Sequence, residues 1–351
     1  MKNIMNMELP MVSIWCLAYN QESYIRQCLE GFVLQKTNFK IEAIIHDDAS
    51  TDHTPDIIRE YAKKYPDVIK PIYEIENQYS KHDGSLRSIM NNACRGKYIA
   101  FCEGDDYWID PLKLQKQINF LEKNPEYGMC CGNALIYKDN IEKMCGTANK
   151  EVPYFSDNAN KEEAFDSIVF GRGGGIITAT VVYRSDLRSK IIGNDKFFLM
   201  GDTPLWLDIS QLSKIKYFDE IFSVYRIHEG SFSRPKSTLE DWRFTLSVLE
   251  MRIYYYRKYG YNIPRHSIKK YRNALCATMT LDSHTSILFE DLLSKLNKFY
   301  IFLIRKEIIN IIIKPIVILK LRLKRFRKHV LAPVKQMLRQ VKLFFKKIIK
   351  K

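Results

Sequence analysis

Three carboxylates fall within four positions at Glu103-Gly104-Asp105-Asp106. They follow the apolar run 97–102, which reads as a buried strand, and precede Ile109-Asp110-Pro111-Leu112, which reads as a turn opening a helix. Carboxylates at the carboxyl end of a strand occupy the place where open α/β sheets bind ligands. Like charges this close repel, and a bound cation would relieve the repulsion while holding a phosphate. An acidic turn that caps the next helix has the same composition, so the motif alone leaves both readings open. A second pair, Asp47-Asp48, ends another strand and could accept hydrogen bonds from a base or ribose; helix capping by Asp48, Ser50, Thr51 or Asp52 is the alternative. Asp202, in Gly201-Asp202-Thr203-Pro204, could act as general base toward a hydroxyl, although N-capping is the simpler reading of that pattern. His228 follows a strand and could complete a metal site if the fold brings it near Asp106.

The elements that must position these groups alternate. Residues 11–18 read as a first strand and 23–34 carry Ile25, Leu29, Phe32 and Val33 at helical spacing. A second strand at 41–46 is followed by a helix opened by Thr54-Pro55, with proline at the favoured first position. A third strand spans 68–73, a helix runs from Gly84-Ser85 to Cys94, and Gly96 stops it before the fourth strand. Residues 112–122 read as a helix and 127–137 as a strand. The β-α-β-α-β-α-β order predicts a mostly parallel sheet covered by helices. Its acidic or amide-rich turns, after strands one, two and four, then share one edge. Residues 138–170 are polar and mixed and give no clear period. Gly173-Gly174-Gly175 precedes 176–183, which reads as a β-branched strand. Further elements are an acidic helix start at 201–206, a strand at 214–226 and helices at 239–259 and 264–281.

Composition narrows the function classes. The 351 residues are 46% hydrophobic, enough for one large core plus an appendage. Net charge is +15, but residues 295–351 hold 18 Lys/Arg against the single acid Glu307. The remainder carries 37 basic and 39 acidic residues, which argues against nucleic-acid binding by the main domain. The eight cysteines show no zinc-type CxxC spacing and read as buried reduced thiols of a cytosolic protein. The N-terminus lacks the apolar core of a signal peptide, and no run approaches 18 uncharged apolar residues, so no membrane-spanning helix is expected.

Five motifs occur in order: Ala18-Tyr19-Asn20-Gln21-Glu22, Asp47-Asp48-Ala49-Ser50-Thr51-Asp52, Gly96-Lys97-Tyr98-Ile99-Ala100, Glu103-Gly104-Asp105-Asp106-Tyr107-Trp108 and Tyr225-Arg226-Ile227-His228-Glu229-Gly230-Ser231. Each is loose; together, with these spacings, they resemble family 2 glycosyltransferases of the bacterial surface-polysaccharide type. The resemblance covers about residues 10–235. It implies a GT-A type nucleotide-sugar-binding α/β fold and an inverting reaction. Asp47 and Asp48 would contact the base and ribose, with Tyr19, Asn20 and Glu22 lining the same pocket. Asp105 and Asp106 match the family's metal-binding motif, Asp106 as the direct ligand, with Mn²⁺ or Mg²⁺ holding the diphosphate of a UDP-sugar. His228 matches a histidine that closes over metal and diphosphate. Asp202 falls where the catalytic base stands, though Gly201-Asp202 replaces the Glu-Asp of many relatives. Glu103 would be a supporting group.

The domain organisation that follows is a glycosyltransferase domain at 10–235, a helical extension at 236–290 and a basic amphipathic tail at 291–351. In the tail, Val334, Met337, Leu338, Val341, Phe344, Phe345, Ile348 and Ile349 alternate with Lys and Arg, an apolar stripe opposite a basic face. Such a segment suits an anionic membrane surface; packing on the body or on a second protomer is the alternative. The expectation is a cytoplasmic enzyme, peripheral at the inner face of the cell membrane. Its acceptor would be a glycan or lipid-linked glycan, and the reading leaves room for an oligomer. A nucleotide-sugar-binding or scaffolding protein without catalysis is the competing class. A nucleotidyltransferase would want a Gly- and Lys-rich loop where 17–22 reads Leu-Ala-Tyr-Asn-Gln-Glu.

Overall fold

The computed structural model describes residues 9–149, 159–171, 175–191, 198–228 and 237–281. The chain divides into two compact units, Met1–Arg234 and Pro235–Lys351.

In the first unit the strands are β1 (Val12–Ala18), β2 (Ile41–Asp47), β3 (Ile69–Tyr73), β4 (Tyr98–Phe101), β5 (Tyr107–Trp108), β6 (Tyr127–Lys138), β7 (Lys143–Thr147), β8 (Val182–Arg184) and β9 (Lys214–Ile227). The helices are α1 (Ile25–Val33), α2 (Thr54–Lys64), α3 (Ser85–Ala93), α4 (Lys113–Lys123), α5 (Lys161–Phe170), α6 (Leu187–Lys190) and α7 (Thr203–Leu212). The strands form one sheet in the order β3-β2-β1-β4-β8-β6-β9-β5, with β7 on β6. The first four are parallel, as the alternation of strand and helix requires. Beyond β4 the sheet is mixed: β8 pairs antiparallel with β4 and β6, β9 parallel with β6, and β5 antiparallel with β9.

β1 is the centre. Strand neighbours lie on both sides and the run 12–18 is almost wholly buried. α1 covers it with Ile25, Cys28, Leu29 and Phe32, the i, i+3, i+4, i+7 stripe of one helix face. Gly96 marks a close approach, since a Cβ there would lie 2.4 Å from the Ser13 nitrogen. The parallel pairing carries the ends of β1, β2 and β4 to one edge, so the loops at 19–24, 48–53 and 102–106 are neighbours.

The expected strand at 176–183 is mostly not a strand. Thr178–Thr180 is a 3-10 turn and only Val182–Arg184 pairs. Side chains have taken the carbonyls a ladder would use: Trp108 Nε1 donates to Ala179 O at 2.7 Å and Gln117 Nε2 to Thr180 O at 2.8 Å. The aperiodic stretch 138–170 contains β7 and α5. The latter starts with a capping box in which Asn160 accepts from the Glu163 N–H at 2.9 Å.

The second unit holds α8 (Thr238–Lys258) and α9 (Arg265–Leu281), which pack on each other. The Ser237 side chain caps α8 by accepting from Glu240 N–H. The tail at 291–351 lies outside the described residues.

Candidate active site

The turns after β1 and β2 are laced together before any ligand enters. Thr51 N–H donates to Asn20 Oδ1 at 2.8 Å, His53 N–H to Glu22 Oε2 at 2.9 Å, and Glu22 N–H to Asp52 Oδ2 at 3.1 Å. Asn20 and Ala49 take left-handed backbone angles, φ 51° and 63°. For a residue with a Cβ this costs about 1 kcal/mol, and the cross-loop hydrogen bonds hold it. Asn20 and Glu22 therefore brace the two turns against each other. Tyr19 beside them stays 49% exposed.

Asp47 and Asp48 are both buried. Asp48 is a clasp: its Oδ1 accepts Gln78 N–H at 2.7 Å and its Oδ2 accepts Tyr79 N–H at 3.0 Å. It thereby folds the segment after β3 over the same edge. Asp47 Oδ1 has no hydrogen-bond partner among the described residues, and burial pushes its carboxyl up, against the opposing pull of Ser50.

The acidic turn at 103–106 is fixed by β1. Gly104 N–H donates to Leu17 O at 2.9 Å, and a Cβ at Gly104 would meet Gln21 Oε1 at 2.2 Å, so a larger residue there would displace the Gln21 side chain. β5 follows directly and pairs with β9, Tyr107 opposite Val224. Extending that register sets Asp105 opposite Arg226. His228 Nε2 lies 3.0 Å from Asp105 Oδ2, while Arg226 N–H donates to Asp106 Oδ1 at 2.8 Å. The Arg226 guanidinium donates to the Asp105 carbonyl and to Gln27 Oε1, and lies against the Tyr24 and Tyr107 rings. Tyr24 stacks obliquely on His228, centroids 4.7 Å apart, and donates to Asp139 Oδ2 at 2.5 Å. Burial and that hydrogen bond push the Tyr24 hydroxyl up to about 12.

Burial and neighbouring charge both raise the carboxyls of the turn. Burial, then the Asp105 charge, holds Asp106 well above the usual carboxylate range. Burial pushes Glu103 up to about 8, with Asp105 and Asp202 adding to it. Asp202 thus stands within electrostatic reach of the turn. It caps α7, Oδ1 accepting Thr203 N–H at 2.6 Å, and its Oδ2 accepts the Thr178 hydroxyl at 2.5 Å. Capping and proximity to the acidic turn coexist in this residue.

Of the site residues expected from the sequence, Tyr19, Asn20, Glu22, Asp48, Asp105 and Asp106 lie in the loops after β1, β2 and β4, Asp47 ends β2, His228 follows β9 and Asp202 caps α7. Among the described residues no three His, Cys, Asp or Glu side chains close into a metal cage by themselves. Asp105, Asp106 and His228 nevertheless present oxygen and imidazole donors beside crowded carboxylates, which fits a divalent ion held jointly with diphosphate oxygens and water. Sequence reading missed Arg226, Tyr24, Asp139 and Thr178. Arg226 was legible only as part of the stretch ending in His228; the others carry no local signal. Among the described cysteines, six are buried and Cys145 is exposed, all as free thiols.

A sheet edge with loops 19–24, 48–53 and 102–106, closed by β9 and α7, defines a GT-A type nucleotide-sugar-binding fold. The crystal structure of Staphylococcus aureus TarS residues 1–349 with UDP-GlcNAc has this fold: TM-score 0.51, 18% identity, covering 82% of this chain and 76% of that one. Residues 13–176 match the model of glycosyl transferase family 2. EpsE of Bacillus subtilis (strain 168), provisionally named a glycosyltransferase, is 35% identical over 241 residues, 68% of this chain and 78% of its own. The chain belongs to glycosyl transferase family 2. Escherichia coli WfaP, named a UDP-Glc:α-D-GlcNAc-diphosphoundecaprenol β-1,3-glucosyltransferase, is 29% identical over 231 residues, 65% of this chain and 82% of its own. The uncharacterised protein Rv1520 of Mycobacterium tuberculosis is 42% identical over 174 residues, 49% of this chain; the chain spans about half, 46%, of that relative's length.

Proposed function

We propose that this chain is a metal-dependent inverting glycosyltransferase. It moves a sugar from a nucleotide-diphosphate sugar, with UDP as the nucleotide, to a hydroxyl of a glycan or lipid-linked acceptor in bacterial surface-polysaccharide synthesis. The observation that carries the reading is the meeting of Asp105 and Asp106 with His228 and Arg226 at the sheet edge that also holds Asp47, Asp48 and Asp202. The UDP-GlcNAc complex of TarS supports a nucleotide-sugar donor, and the name of WfaP supports a lipid-diphosphate-linked acceptor.

Tyr19, Asn20, Glu22, Asp47 and Asp48 form the nucleoside end: the exposed Tyr19 ring offers a stacking face and Asp47 Oδ1 an acceptor with no donor among the described residues. Asp105, Asp106 and His228 would hold Mn²⁺ or Mg²⁺, which would supply positive charge to the departing diphosphate. Arg226 keeps Asp106 aimed and adds a fixed cation beside it. Asp202 takes the proton from the acceptor hydroxyl as its oxygen attacks the anomeric carbon. The bond from that carbon to the diphosphate oxygen breaks on the opposite face, its electron pair leaves with the diphosphate, and the configuration inverts. Asp202→Asn is expected to keep the thermal shift given by UDP-GlcNAc with Mn²⁺ and to lose transfer. Transfer at the wild-type rate would remove Asp202 from the role of base.

The extension after residue 235 would carry the tail, and the tail would hold the enzyme at the inner face of the cell membrane. None of the described helices is long and apolar enough to cross a membrane. Support comes from the 18 basic residues against one acid in 295–351. A chain ending at residue 294 should lose co-sedimentation with anionic phosphatidylglycerol vesicles that the full chain shows. Equal sedimentation of the two would count against the tail.

A further inference from the structure

One part of the site is built more rigidly than capping requires. The Thr178–Thr180 turn is clamped from several sides. Trp108 Nε1 and Gln117 Nε2 donate to the Ala179 and Thr180 carbonyls. The Thr180 hydroxyl donates to Ile177 O at 2.7 Å and accepts the Gly132 N–H at 3.2 Å. Gln117 is itself fixed, its Oε1 accepting from Lys113 Nζ at 2.9 Å, and Lys113 is fully buried with its ammonium 4.2 Å from the Trp108 ring centroid. At the start of the turn the half-buried Thr178 hydroxyl reaches Asp202 Oδ2 at 2.5 Å.

A helix N-cap needs only one carboxylate oxygen, and Thr203 N–H already occupies Oδ1. The contact to Oδ2 adds nothing to the helix and fixes the rotation of the carboxylate plane. Oδ1 also accepts the Thr203 hydroxyl at 3.2 Å, which fills it, so the second lone pair of Oδ2 is the one left for an incoming hydroxyl. Trp108 belongs to the strand that directly continues the acidic turn. The segment that carries Asp105 and Asp106 thereby also sets the turn that aims Thr178.

We propose that Thr178 is a positioning residue for Asp202: it locks the carboxylate plane toward the acceptor, and Trp108 and Gln117 hold it in place. This rests on the reading of Asp202 as the base. Orientation contributes to the chemical step rather than to donor binding, so its loss appears in kcat and not in the donor KM.

The test uses the full chain with Mn²⁺, measuring nucleoside-diphosphate release from a panel of UDP-, GDP- and dTDP-hexoses with water as acceptor. Thr178→Val, which keeps the shape and removes the hydroxyl, should lower kcat by about tenfold to a hundredfold with donor KM within about twofold of wild type. Thr178→Ser should restore most of the rate, and both variants should melt with a single transition near the wild-type temperature. Wild-type kcat in Thr178→Val, or a loss that Thr178→Ser does not recover, overturns the proposal. Asp202→Asn assayed in parallel separates the two ideas. If it turns over at the wild-type rate, the base assignment fails, and the positioning role with it. If it is inactive while Thr178→Val is fully active, only the positioning role fails. No release by the wild-type chain from any donor overturns both.

Discussion

Two acidic pairs end two strands that flank β1, and they live in different electrostatic company. Asp47-Asp48 is answered by neutral backbone donors: Asp48 spends both oxygens on Gln78 and Tyr79 N–H groups, and Asp47 is held by burial and Ser50. Asp105-Asp106 is answered by the side chains of Arg226 and His228, and burial, then the Asp105 charge, still pushes the Glu103 and Asp106 carboxyls up. The same residue type at the same topological position can therefore shape a loop or form an anionic well. What separates them is the element that closes over each: a 3-10 turn after β3 in one case, the end of β9 in the other.

Three substitutions press on that contrast. The largest effect is expected from Asp106→Asn. It keeps the acceptor for Arg226 N–H but removes a charge the well is built around, so transfer should fall by about a hundredfold or more. Stability should not fall, because the lost carboxylate was buried beside Asp105. A steady-state rate and a melting curve on the same preparation check both halves. Equal activity would make the well a structural turn like its counterpart.

Asp48→Ala comes next. It leaves two backbone N–H groups without their acceptor, at a cost of about 1–3 kcal/mol, measured by urea denaturation. Donor KM should rise more than kcat falls, since the loop carrying Tyr79 loosens. A purely catalytic loss would mean that the two pairs work alike.

The smallest effect belongs to Glu103→Gln. The folded carboxyl titrates near 8 against an ordinary 4.5, so between those values the folded state keeps a proton that the unfolded chain has released. Folding takes up that proton, and stability therefore falls as pH rises through this window. In metal-free buffer Glu103→Gln should flatten that slope across pH 4.5–8. Below about pH 4.5 the variant should match wild type, because both hold a neutral group folded and unfolded; toward pH 8 it should become the more stable of the two. Identical slopes would remove Glu103 from the crowded cluster.

Much of the first 130 residues was legible locally. The mostly apolar runs 11–18 and 41–46 read as strands, Thr54-Pro55 as a helix start and Gly96 as a helix stop, and each is so; the close backbone approach at Gly96 is visible only in the fold. The stretch 176–183 was misread because β-branched residues favour a strand, whereas Trp108 and Gln117, distant in sequence, claimed its carbonyls. α5 was readable in principle from Asn160-x-x-Glu163, but its flanks carry no apolar period. Arg226 gave little sign of its role, since a guanidinium two residues before a histidine is ordinary until β9 pairs with β5.

The sequence by itself determined the parallel half of the sheet, the chain order of the loops and which of them carry acids, because strand burial and turn chemistry are local properties. Only the tertiary structure decided which acids meet cations, which one clasps a loop, and that the cap of α7 also faces Thr178. Those outcomes depend on pairings between separate elements, Asp48 with Tyr79, Thr178 with Asp202, and, farthest apart in the chain, Arg226 with Asp106 and Tyr24 with Asp139. No local pattern encodes them: the partners are brought together by sheet order and register, and a carboxylate's chemistry is set by whichever donors the register delivers.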